Sequence, residues 1–155
     1  MKPLLPALLL AGCVAGAHAG VDCQFGGEAI AADDVQTMFQ YSASSTRDRN
    51  GKLSYFRLMT HDEGPGPSSG LQVKTVDVTT PGDYAMAKEP GWTSVIRLHG
   101  KDQRVTVGKF SFTRFDVSGP RGRAAGTLAF TTAKTTGSCT FDVEFSAVDR
   151  DTLPH

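Results

Sequence analysis

The chain has 155 residues, with 16 basic and 16 acidic side chains and 39% hydrophobic residues. A formal net charge of zero excludes the strongly basic surface that nucleic acid or an anionic membrane requires, so no nucleic-acid partner is expected. The composition is that of one folded domain rather than a low-complexity or membrane-embedded chain.

Residues 1–19 read MKPLLPALLLAGCVAGAHA: one lysine, an apolar run, then small residues ending Ala17-His18-Ala19. This is the pattern of a secretory signal peptide cut after Ala19. The apolar stretch 4–16 is shorter than the ~20 residues that span a bilayer, so no transmembrane span is expected. A second cut is legible at Leu10-Ala11-Gly12-Cys13, which resembles the lipobox of bacterial lipoproteins. The resemblance implies a lipoprotein signal over residues 1–12, acylation of Cys13 and, because Val14 follows it, an outer-membrane lipid anchor. The cut after Ala19 is preferred, because 12 residues make a short lipoprotein leader. Residues 20–155 then form a single β domain, periplasmic or secreted, and losing Lys2 leaves one acidic charge in excess.

From there the chain alternates with a period of two rather than the helical 3.6. Strands are expected at residues 23–30, 35–43, 52–60, 71–79, 92–99, 104–117, 124–132 and 139–147. The last is the clearest: Cys139, Phe141, Val143, Phe145 and Ala147 alternate with mostly polar residues, which places Cys139 and Phe141 in the core. Asn50-Gly51 signals a hairpin. Gly108-Lys-Phe-Ser-Phe-Thr is echoed 18 residues later by Gly126-Thr-Leu-Ala-Phe-Thr, which predicts two successive strands presenting Phe110, Phe112, Leu128 and Phe130 to one core. Gly108 is expected to mark a bulge or bend. Residues 61–70 and 80–91 are rich in Gly and Pro and are expected to be loops, with one helical turn over 84–88. The fold class is all-β: a single antiparallel β-sandwich or flattened barrel of about eight strands.

Once either leader is removed, Cys23 and Cys139 remain as one available pair, since Cys13 is either cut away or acylated. Export supplies an oxidising compartment, so a structural disulfide between the first and last strands is expected. Neither a C-x-x-C spacing nor a nearby histidine cluster points to a metal or redox role for the two thiols.

Candidate chemistry is sparse. His61, Asp62 and Glu63 form the densest group of functional side chains, and an imidazole beside carboxylates can bind a metal or move protons. Adjacent residues point apart, however, so a solvated turn is the preferred reading and no metal or cofactor is expected. Asp48-Arg-Asn-Gly lacks the distal ligands of a calcium loop. Arg121 and Arg123 set two guanidinium groups on one turn, able to catch a phosphate, a carboxylate or an acidic glycan, or simply to discourage edge pairing. A nucleophile elbow and a phosphate-binding glycine loop are both missing.

The expected function is therefore a non-catalytic secreted or cell-envelope β-domain with a binding or structural role. Its partner would be an envelope or extracellular molecule met through the loops 61–70 and 80–91. Two alternatives stand beside it. One is a carrier of a small apolar ligand in a barrel cavity lined by Phe110–Phe115 and Phe130–Phe145. The other is a hydrolase or metalloenzyme using His61, Asp62 and Glu63.

Overall fold

Alternating sequence becomes strand throughout the described residues of this computed structural model, which are 20–30, 34–42, 53–61, 67–87 and 93–149. The strands are β1 (Gly20–Phe25), β2 (Glu28–Ile30), β3 (Asp34–Ser42), β4 (Leu53–His61), β5 (Gly70–Val76), β6 (Gly82–Ala85), β7 (Val95–Leu98), β8 (Lys101–Ser118), β9 (Arg121–Thr132) and β10 (Thr136–Asp149). All lie in one sheet of order β2-β1-β10-β3-β4-β5-β7-β8-β6, and β9 pairs with both β8 and β10. The pairings from β3 through β5, β7, β8, β9 and β10 therefore return to β3, giving a flattened, partly closed barrel. Every pairing is antiparallel except the closing one, where Ser146–Asp149 of β10 run parallel to Met38–Tyr41 of β3.

Among the described residues the ten strands contain the eight expected ones and two short additions. The stretch 23–30 is a hairpin rather than one strand, because Gly26 and Gly27, at φ 58° and 87°, make a two-residue turn between Phe25 and Glu28. The second addition is β6, where a helical turn was expected. Instead Tyr84 and Ala85 pair with Phe110 and Lys109 of β8, and Met86 bridges to Thr75 of β5. One edge of β8 is thus shared by β7 and β6, while β9 takes the other from Val105 to Ser118. The hairpin expected at Asn50-Gly51 lies outside the described residues.

Burial follows the alternation. On β10, Cys139, Phe141, Val143 and Phe145 are buried while Thr140 and Glu144 are exposed. On β8 the inward set changes parity: Phe110 and Phe112 are buried, and then Phe115. A register shift between Phe112 and Arg114 makes this possible, since one extra residue returns Phe115 to the core face. An irregularity of register does fall just before Gly108, between Val105 and Val107, while Gly108 itself pairs regularly with Phe130; a Cβ there would run into the Met86 side chain, so glycine admits the close approach of the segment after β6. The two halves of the sequence echo face each other in the ladder, with Gly108 opposite Phe130, Phe110 opposite Leu128 and Phe112 opposite Gly126.

Phe56 is the centre of the core. It is fully buried, and its ring centroid lies 5.2–6.3 Å from those of Phe110, Phe112, Phe115, Phe141 and Phe145. Burying each such ring contributes about 1.5–3 kcal/mol, and edge-to-face pairs add about 0.5–1.5 kcal/mol each. Phe25 and Phe130 make a separate edge-to-face pair, at 5.2 Å, at the β1–β2 end of the core.

Candidate functional site

Cys23 and Cys139 stand directly opposite each other on β1 and β10, and their sulfurs are bonded. Both are buried. The bond closes a span of 116 residues, worth about 5 kcal/mol if it acts by restricting the unfolded chain.

Outside this bond the sheet opens into a cleft of about 530 Å³, lined by Asp22, Cys23, Gln24, Ala29, Ile30, Thr127, Ser138, Cys139 and Thr140. The alternation explains the polar part of the lining. Positions 22 and 24 of β1, 138 and 140 of β10, and 127 of β9 are the exposed positions of strands whose other residues face the core. The ladder sets Asp22 opposite Thr140 and Thr140 opposite Thr127, with Gln24 opposite Ser138 in the next rank. Sequence reasoning missed this cluster because its members belong to three separated strands and occupy positions that read as plain solvent-facing ones.

Farther along the same face, Arg123 is spent on a carboxylate. Its Nε and a terminal nitrogen each donate to an oxygen of Asp142 at 2.8 Å. In the ladder it also lies between Asp116 and Glu144. The hydrogen bond from Arg123 holds the Asp142 carboxyl below the ordinary carboxylate range, and the same bond raises the guanidinium. Arg121 begins β9, exposed, opposite Ser118 and Ser146. The two arginines share a face, but Arg123 is neutralised by acidic neighbours, which disfavours a paired anion clamp.

His61 ends β4, opposite Asp34 of β3 and Gly70 of β5. Asp62, Glu63 and Cys13 lie outside the described residues. Among the described residues no group of three His, Cys, Asp or Glu side chains is placed to hold a metal ion, and no helix is long and apolar enough to cross a membrane. The stretch expected as a loop over 80–91 is partly ordered by β6, whose Tyr84 hydroxyl donates to the Thr80 carbonyl at 2.8 Å. His99, at φ 49°, and Gly100 form the tight turn between β7 and β8. The His99 amide donates to the Ser69 hydroxyl, and its Nε2 lies 3.1 Å from Glu28.

No protein-family model, curated protein or solved structure matches the chain.

Proposed function

We propose that the chain is an exported, non-catalytic β-domain of the cell envelope or extracellular space, with a binding or structural role. The observation that carries this reading is the buried Cys23–Cys139 bond, which fits a compartment that keeps thiols oxidised. The leader over residues 1–19 supplies the route, by cleavage after Ala19 or by acylation of Cys13. Among the described residues Arg97 with Asp102, Lys109 with Asp83 and Arg114 with Asp116 form exposed surface pairs, and Arg123 with Asp142 forms a half-buried one. That pattern suits a stable scaffold better than a reacting centre.

The carrier reading needs space among the phenylalanines of β8, β9 and β10. Phe110 and Phe112 instead stack at 5.5 Å, and both meet Phe141 at 5.6–6.0 Å, so these rings fill one another's space. The test of the proposed reading is fractionation of the native host followed by crosslinking of intact cells. The protein should appear in the periplasmic, outer-membrane or secreted fraction and form a discrete adduct there. Recovery from the cytoplasm with both thiols free overturns it.

A further inference from the structure

The cleft beside the disulfide has an unusual inventory for an exposed sheet face. Asp22, Gln24, Thr127, Ser138 and Thr140 all line it, and among the described residues no side-chain hydrogen bond or ion pair engages them. Other charged groups on the sheet are paired, as Arg123 is with Asp142 and Lys109 with Asp83. Asp22 is the sole formal charge in the lining, so an anion finds no counter-charge there. A carboxylate accepts from two neighbouring hydroxyls at once, a carboxamide both donates and accepts, and threonine and serine hydroxyls do either. The ladder holds these groups in ranks one interstrand step apart, about 4.8 Å, which is close to the width of a pyranose ring. Ala29, opposite Gln24, is the exposed apolar residue of the lining, while Ile30 and the disulfide are buried beneath it. The volume of about 530 Å³ falls within the range of small-molecule sites.

We propose that this cleft binds a neutral, hydroxyl-rich ligand of the saccharide class, with Asp22 accepting from a pair of adjacent hydroxyls and Gln24, Ser138, Thr140 and Thr127 completing the set. The inference rests on the reading of the chain as an exported binding domain, and it moves the contact surface from the loops to the outer face of β1, β9 and β10.

The test uses the isotope-labelled, exported and oxidised protein, titrated with cellobiose, maltose and N,N′-diacetylchitobiose while the backbone amide shifts are followed. At least one disaccharide should shift Asp22, Gln24, Ser138 and Thr140 saturably. D22N should weaken that binding by about tenfold or more, because a charged acceptor is lost, while the rest of the spectrum is unchanged. If D22N disturbs the whole spectrum, T140V takes its place, with weakened binding again expected. Absence of saturable shifts with all three sugars overturns the inference, as do shifts confined to other residues or undiminished affinity in the variant. Saturable binding of inorganic sulfate at the same residues overturns the neutral-ligand assignment. Loss of the sugar signal from a correctly exported protein defeats this inference alone, whereas cytoplasmic protein with free thiols defeats the reading beneath it.

Discussion

At Asp142 both carboxylate oxygens accept hydrogen bonds from Arg123, so protonating that carboxyl costs more in the folded chain than in the unfolded one. Asp102 beside Arg97 and Asp83 beside Lys109 are depressed for the same reason. A carboxyl whose folded value is lowered stabilises the fold above its unfolded value and loses that contribution as pH falls through the folded value. The urea midpoint should therefore decline below about pH 4. D142N should flatten the decline, and a midpoint independent of pH in that range would refute the role of these pairs. A different constraint operates at Gly137. It sits opposite Phe130, and a Cβ there would overlap the Phe130 ring. G137A should destabilise by about 1–3 kcal/mol through overpacking, measured by chemical denaturation; a neutral result would mean that the ring has room to move.

Among the elements, the strands at β4, β9 and β10 were legible because each buries one face, and alternation is the trace that a half-buried strand leaves in sequence. β6 was not legible, since none of its four residues is buried, and its place is held by backbone pairing to β8 and the bridge at Met86. The β1–β2 turn did carry a signal in Gly26-Gly27, a dipeptide suited to a two-residue hairpin, but the flanking strand over 28–30 is only three residues long. The second of the two register shifts on β8 left only the change of parity from Phe112 to Phe115, and the parallel contact between β10 and β3 left none, because pairing partners are set by the whole sheet. The cleft was hidden for the same reason: Asp22, Thr127 and Thr140 come together only once β1, β9 and β10 are placed side by side. The phenylalanine cluster unites these elements. Replacing Phe56 by alanine removes the ring that meets five others and should cost about 3–5 kcal/mol by denaturation. A loss below about 1 kcal/mol would place the centre of the core elsewhere.

For the molecule as a whole, the disulfide ties β1 to β10 in the middle of their pairing, on the edge of β10 that β3 takes over from Ser146 onward. Reduction, or C23A with C139A, should lower the stability by about 2–5 kcal/mol while the strand signal survives at moderate temperature. Unchanged stability after reduction would show that the sheet holds its ends without the bond. All of this depends on the chain reaching an oxidising compartment, and one measurement addresses that most directly: the intact mass of the protein isolated from its native host, with and without reductant. Export and oxidation predict a chain beginning at Gly20 whose mass rises on reduction by the hydrogens of one disulfide. A chain that retains residues 1–19 with no acyl group and has Cys23 and Cys139 both free would contradict it.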